Sequence, residues 1–496
     1  MRALERGGDH VFGAHANPLR QLGALAVLLF WITLASGSYI YIFFDTSAAG
    51  AHASIEALSR GQRWFGGLVR SLHRYSADAF ALLTALHIVR EWALGRYAGF
   101  RWFSWISGVP LLWLALGSGL VGYWLVADTR ALFVATGIAE WAGWLPGFGA
   151  TLMRNFITEA AISDRLFSLL IFLHIGVALF ILLGLWIHLQ RIARPVTQPQ
   201  RRIALSVGAM LLVLCVTWPA LSTPAANFTQ VPLPVPMDWF YLGLFPLMYA
   251  TSPATVWALI GLGTLALLAL PWTVRAAQPA PAVVDLAHCN GCGRCFDDCP
   301  YGAIVLAPRS DARRHMVQAV VQNDLCASCG ICVGACPSST PFRSTQQLVT
   351  GIDLPTTPLS ALRDQLLAAL RARPGAQVLF GCDEGADVSQ LGAPGVVALS
   401  LPCSGMLPPS FAEYALRAGA SRVVIASCGA HGCAYRLGGR WTAERLGGRR
   451  EPFLRKRSAQ VLLAEVQRGE EALLRATLEQ PQPVASAFPV PQVPHV

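Results

Sequence analysis

Two histidine pairs with one spacing restrict this chain more than any other feature. His73 and His87 stand 14 residues apart in a mostly apolar stretch, and His174 and His188 repeat the interval in another. At about 100° per residue, 14 residues return a side chain to nearly the same face of an α-helix, about 21 Å further along. That rise covers most of a bilayer's hydrocarbon core. An ionisable ring at membrane depth is costly and persists where it has a partner. Glycines echo the interval, with Gly23 and Gly37 in one apolar run and Gly108 and Gly122 in another. Taken singly, such a histidine reads as a hydrogen-bonded packing residue and such a glycine pair as a close helix contact. Four matched pairs are harder to read that way.

Composition points to the same environment. Of 496 residues, 54% are hydrophobic and 13% charged, too apolar for an ordinary soluble protein. The apolar runs extend to about Pro271 and a mixed, charged sequence follows. This predicts a membrane half and then a soluble half. Runs near 19–43, 75–95, 104–126, 166–190, 203–222 and 252–273 each suit about 30 Å of hydrocarbon. The first follows Arg2, Arg6 and Arg20 without a clear cleavage site, so it is expected as a retained helix.

Arginines gather between the second and third runs (Arg90, Arg96, Arg101) and between the fourth and fifth (Arg191, Arg194, Arg201, Arg202). The loop between the fifth and sixth has Asp238 and no Arg or Lys. The positive-inside rule then puts both termini in the cytoplasm. Arg60, Arg63, Arg70 and Arg74 in the first loop run against that rule and require another partner. The net charge of +10 is largely this topology. A second basic cluster, from Arg436 to Arg457, reads as a solvated or membrane-facing surface. No nucleic-acid-binding module is evident.

A flat macrocycle between helices needs a missing side chain where its face meets backbone, and glycine supplies it. Four helices with His–His and Gly–Gly pairs therefore describe an all-α transmembrane four-helix bundle, plus two further helices, around two stacked haems. Each haem would have two histidine ligands and no open iron position.

The residues at this point resemble a known family. "GGLVRSLHRYSADAFALLTALHIVREWALG" resembles the second helix of cytochrome b from the quinol-oxidising cytochrome bc complexes. "GLVGYWLVAD" resembles the end of that family's third helix. The resemblance covers about 19–273, without the family's last two helices. It implies His73 paired with His174 on the outer side and His87 with His188 on the cytoplasmic side. It also implies Arg70 and Arg74 near the outer haem's propionates and Arg90 beside the inner haem, and a homodimer as in the cytochrome bc complexes. The loop "PLPVPMDWFYLGLF" is similar to the family's Pro-Glu-Trp-Tyr motif at its outer quinol-oxidising site. The matching residues are Pro236, Asp238, Trp239 and Phe240, with Met237 inserted. A carboxylate beside an apolar aromatic pocket exchanges a proton with a quinone; alternatively, Asp238 is a loop carboxylate beside an interfacial Trp.

Of 13 cysteines, Cys215 lies alone in the fifth run and is expected in packing. Eight form "CNGCGRCFDDCP" and "CASCGICVGACP". In this spacing three thiolates wrap one cubane and the fourth ligates the other cluster. Cys289, Cys292, Cys295 and Cys336 would hold one [4Fe–4S] cluster. Cys326, Cys329, Cys332 and Cys299 would hold a second. Residues 283–342 resemble a bacterial two-cluster ferredoxin, an α+β domain.

Cys382, Cys403, Cys428 and Cys433 each follow a short apolar run, which predicts a small α/β domain with cysteines at the carboxyl ends of its strands. Four thiolates suit [2Fe–2S] or zinc. "LPCSGMLPPSFAEYALRAGASRVVIASCGAHGCAY" resembles the small iron–sulfur (delta) subunit of methyl-viologen-reducing hydrogenase, which links hydrogenase to heterodisulfide reductase. That resemblance implies [2Fe–2S]. His431 is expected at the surface or beside a ligand.

The expected organisation is a cytochrome b-like membrane domain at 1–275, a ferredoxin domain at 283–342, a helical linker at 343–375, the delta-like domain at 376–460 and a tail at 461–496. No GxGxxG opens a βαβ unit, so electrons are expected to pass to or from a cytoplasmic flavoprotein dehydrogenase, or a hydrogenase- or heterodisulfide-reductase-like subunit. Two b-type haems would carry them to membrane quinone, in a bacterial inner membrane. Transfer from quinol to a cytoplasmic acceptor, or a self-sufficient transmembrane reductase, are the alternatives.

Overall fold

The computed structural model describes residues 1–14, 16–62, 65–146, 163–227, 241–274, 279–311, 316–342, 348–391, 395–455 and 459–480. Contacts divide the chain into two units: Met1–Gln190 with Pro195–Ala276, and Arg191–Arg194 with Ala277–Val496.

The described part of the first unit is helical. Its main elements are α1 (Arg2–Phe12), α2 (Leu22–Phe43), α3 (Gly66–Ala93), α4 (Trp102–Leu125), α5 (Thr129–Gly143), α6 (Asp164–Leu189), α7 (Arg201–Thr217), α8 (Leu244–Ala250) and α9 (Pro253–Thr273). α2 packs along α3, and α4 along α6. The core between them holds Leu29, Phe30, Phe80, Leu111, Ile181 and Phe245. Starts are locally encoded. Asp128 caps α5 by accepting from Ala131 N at 2.8 Å, and Ser252 caps α9 by accepting from Thr255 N at 3.2 Å, with Pro253 at the first helical position.

Four described helical stretches are long and apolar enough to cross a membrane, where the sequence led us to expect six: Pro18–Phe43, Gly99–Leu125, Asp164–Leu189 and Pro253–Thr273. The other two expected runs differ for separate reasons. α3 has the length, at 28 residues, but it carries Arg70, Arg74 and Arg90. α7 has 17 residues and stops at Thr217, short of the expected 222.

The second unit contains strands. β1 (Val283–Val284) pairs antiparallel with β4 (Ile352–Asp353), and β2 (Ile304–Pro308) with β3 (Val317–Val321). A four-stranded parallel sheet follows in the order β6 (Val396–Leu401), β5 (Gln377–Cys382), β7 (Arg422–Ser427), β8 (Val461–Glu465). Its strands are near-continuous apolar runs, as burial on both faces requires. Helices α10 (Arg294–Asp298), α11 (Ile331–Ala335), α12 (Leu359–Ala372), α13 (Ser410–Arg417), α14 (Gly438–Leu446) and α15 (Glu471–Glu479) complete it.

Two boundaries differ from expectation. The stretch expected as a linker includes β4 and α12, whose Leu359, Leu362, Leu366 and Leu370 are buried in the main core. The stretch expected to begin a tail supplies the sheet's fourth strand, β8, and the helix α15, with Leu474 and Leu478 buried. One core joins Ile304 and Val333 of the cysteine-rich segment to Val378, Met406 and Phe411 beyond it.

Candidate metal centres

In the first unit the four histidines lie on α3 and α6. The rings of His73 and His174 meet edge-on, at 68° to each other, with centroids 6.2 Å apart. A metal–imidazole bond is about 2 Å. Two such bonds plus the half-width of each ring account for a separation of this size, so the pair fits one bridging iron. His87 and His188 are close enough to interact electrostatically.

Second partners orient the rings. His73 Nδ1 lies 2.9 Å from Thr33 O and 3.3 Å from Ser36 Oγ. His174 Nδ1 lies 3.1 Å from Ser118 O, and His188 Nδ1 is 3.0 Å from Ser107 Oγ. A ligating histidine donates its other ring N–H in this way, which leaves Nε2 for the metal. His87 Nδ1 is buried without a hydrogen-bond partner. Sequence reasoning missed these serines. The available signal was that Ser36 and Ser107 each directly precede a spaced glycine.

Each of the spaced glycines faces a histidine ring. A Cβ on Gly37 would stand 2.8 Å from His73 Cε1. On Gly23, Gly108 and Gly122 it would stand 3.3 Å from Cε1 of His87, His188 and His174 respectively. Each glycine thus makes room for one imidazole ring. Gly37→Ala must displace His73, at an overpacking cost of about 1–3 kcal/mol. We expect it to lower haem retention at the His73–His174 pair, read as haem per polypeptide. Gly117→Ala, which faces open space, should leave that ratio unchanged, and equal retention in the two variants would refute this role.

The arginines have carboxylate and hydroxyl partners. Arg70 donates to Ser59 Oγ at 2.6 Å and Ser222 Oγ at 2.7 Å, and pairs with Glu56 at 3.4 Å. Arg74 pairs with Asp78 at 3.3 Å, and its guanidinium lies over the Tyr123 ring. Arg90 pairs with Glu5 at 2.7 Å and Glu91 at 2.6 Å. Of the first-loop arginines, Arg60, Arg70 and Arg74 have carboxylate partners, and Arg63 lies outside the described residues. Asp238, Trp239 and Phe240 lie outside the described residues, as does the side chain of His431.

In the second unit a cavity is lined by Cys299, Cys326, Cys329 and Cys332 together. The fourth cysteine of the first run therefore stands with three of the second. Cys295 has Cys336, Cys292 and Cys289 as its charged neighbours. Crossed ligation would take these two sets. Burial, and then Cys336 beside it, push the Cys295 thiol up to about 12. Burial also pushes up Cys329 and Cys332. Bare thiolates are thus unfavourable here, and a cationic iron core would supply the counter-charge. Gly291, Gly293 and Gly330 have positive φ, as the tight turns between the cysteines demand.

The last four cysteines gather at the carboxyl edge of the parallel sheet. Cys382 ends β5, Cys403 follows β6, and Cys428 and Cys433 follow β7. All four are buried. Cys382 Sγ and Cys428 Sγ are 4.0 Å apart, and Cys403 interacts with both Cys382 and Cys433. A Cβ on Gly438 would stand 2.1 Å from Cys403 Sγ, so this glycine lets the backbone close over the thiols. Together they would offer four thiolates to one centre.

Comparisons with known proteins divide the chain in the same way. Residues 9–196 match the cytochrome b/b6/petB family, 288–340 the 4Fe-4S dicluster domain, and 381–457 the delta subunit of methyl-viologen-reducing hydrogenase. Cytochrome b6 of Heliobacterium mobile is 28% identical over 184 residues, 37% of this chain and 86% of that protein. Cytochrome b of Akanthomyces muscarius is 32% identical over 165 residues, 32% of this chain and 43% of that protein. A hyperthermophilic respiratory Complex III chain aligns with a TM-score of 0.40 and 20% identity, over 51% of this chain and 74% of that one. From residue 9 to residue 457 the chain matches, in order, the cytochrome b/b6 family, the 4Fe-4S dicluster domain and the methyl-viologen-reducing hydrogenase delta-subunit family.

Proposed function

We propose that this is a membrane-bound electron-transfer subunit that connects a cytoplasmic flavoprotein or ferredoxin partner to the quinone pool. The observation that carries the reading is the 6.2 Å separation of His73 and His174, which suits one iron, on a chain that also gathers twelve cysteines into three sets. His73 with His174, and His87 with His188, would each hold a b-type haem within a four-helix bundle. The two crossed cysteine sets would hold [4Fe–4S] clusters in a ferredoxin-like fold. Cys382, Cys403, Cys428 and Cys433 would hold [2Fe–2S]. These groups, when bound, supply reversible one-electron chemistry. The chain's own residues fix their spacing, keep water away and carry counter-charges.

The iron–sulfur part and both termini would face the cytoplasm of a bacterial inner membrane, following the arginine distribution. A quinone would react near Asp238, Trp239 and Phe240, with Asp238 exchanging the proton. The protein would associate as a homodimer, as the resemblance to the cytochrome bc complexes implies. Outward electron movement is favoured by the membrane potential, by about 2.3 kcal/mol per 100 mV for the full span. A strong donor on the cytoplasmic side is not then required.

The test is made in membranes with the co-purifying cytoplasmic partner identified. Its substrate should reduce quinone through this protein, and Asp238→Ala should abolish quinone turnover while b-haem reduction persists. Full turnover in Asp238→Ala would remove the proposed quinone site. Reduction of iron or a disulfide by the purified chain without a partner would overturn the reading altogether.

A further inference from the structure

The ferredoxin-like segment and the sheet domain meet at a seam whose residues say which centres are neighbours. The seam joins Cys329 and Ile331 of the second cysteine run to Cys403, Leu437 and Trp441 in one buried apolar cluster. A Cβ on Gly438 would meet both Ile331 Cδ1, at 3.4 Å, and Cys433 Sγ, at 3.5 Å. Cys295, of the first set, neighbours Cys336, Cys292 and Cys289 of its own set and Cys332 of the second. The first set has a surface edge, since Cys292 is exposed, while Cys329 and all four sheet cysteines are buried.

The two backbones touch. A Cβ on Gly334 would stand 2.1 Å from Gly405 O and 2.6 Å from Arg445 Nη1. A Cβ on Gly330 would stand 2.7 Å from Met406 Cγ. Arg445 is 1% exposed and fastens both sides. It donates to Gly405 O at 2.7 Å, to Ile331 O at 3.3 Å and to Asp298 Oδ2 at 2.5 Å. Trp441 Nε1 donates to Asp298 O at 3.2 Å.

Building on the proposed iron–sulfur content, we propose that this seam is an electron junction. It couples the four-cysteine site to the Cys299/Cys326/Cys329/Cys332 site and leaves the Cys289/Cys292/Cys295/Cys336 site as the far, solvent-edged end of the wire. One electron crosses at a time. The donor centre is oxidised by one electron, the acceptor is reduced by one, and no proton or bond changes hands. Electronic coupling falls steeply with distance, so glycines at the contact points are what keep the gap small. Gly334 and Gly405 are positioning residues, and Arg445, paired with Asp298, pins Gly405 O and Ile331 O together across the seam.

The test is electron paramagnetic resonance on the intact, reduced, detergent-solubilised protein. Both neighbouring centres are then paramagnetic, and the signal of the four-cysteine site should be split or broadened by its neighbour. Cys292→Ser disturbs the far site and should leave the splitting in place. Gly334→Ala should lose the splitting while iron and sulfide per chain stay at the unaltered level. If Gly334→Ala does not accumulate, the Cys292→Ser comparison decides by itself. Loss of splitting in Cys292→Ser, or its persistence in Gly334→Ala, overturns the junction. Assembled centres that never split overturn the junction alone. Absence of any signal from the four-cysteine site overturns both the junction and the iron–sulfur reading of that site.

Discussion

Replacing His87 by Ala leaves one low-spin b-haem signal where the unaltered protein gives two. His87 and His188 are expected to share one iron, and His73 and His174 the other. The second pair stands four helical turns away, about 21 Å along the helix, with its own partners in Thr33, Ser36 and Ser118. Sites that far apart with no shared contacts behave additively. The substitution should therefore empty or convert one site and spare the other. His87 is the suitable place to cut, because its Nδ1 makes no hydrogen bond and its loss strands no donor or acceptor. A redox titration of the His87→Ala protein should show a single b-type component. Two low-spin components would refute the ligand assignment.

The second large effect lies in the iron–sulfur half. Asp298 is 3% exposed and pairs with Arg445 and Arg450. Asp298→Ala strands the fully buried Arg445 guanidinium. Breaking one partner out of such a pair costs about 3–5 kcal/mol, because the remaining charge has no water to turn to. For a unit of this size the melting transition should fall by roughly 10 °C, measured by calorimetry on the whole protein. Replacing Asp298 by Leu together with Arg445 by Met removes both charges and should recover much of the loss. A transition unmoved by Asp298→Ala would show that the pair is not what joins the two segments.

How much of this was legible depended on distance along the chain. The histidine and glycine intervals are readable because a helix converts spacing into direction, and the cysteine runs because one short loop wraps one cluster. Nothing local announces Asp298 and Arg445, 147 positions apart, or Glu5 and Arg90, 85 apart. Their function as mutual counter-charges exists only after folding. From sequence α12 reads as a linker helix, because the residues that its leucines pack against lie elsewhere in the chain. β8 was missed because "VLLAE" is short and carries no cysteine to mark it as the fourth strand. The arginines of α3 suggest propionate contacts; Asp78 and Glu91 engage them from the same helix, and Glu5, Glu56, Ser59 and Ser222 from elsewhere in the chain.

The shared core carries a last implication. Cys332 is packed in it, and Cys289, Cys295, Cys299, Cys326 and Cys336 pack against it. The groups that would grip iron are therefore also bricks of the wall that joins two segments. Metal supply and folding then become one event. A newly made chain in an iron-starved cell would stall as an incompletely closed protein and be visible to proteases. Damage to a single cluster would be registered as a failure of the whole lobe, so that a broken wire is cleared and not left in the membrane.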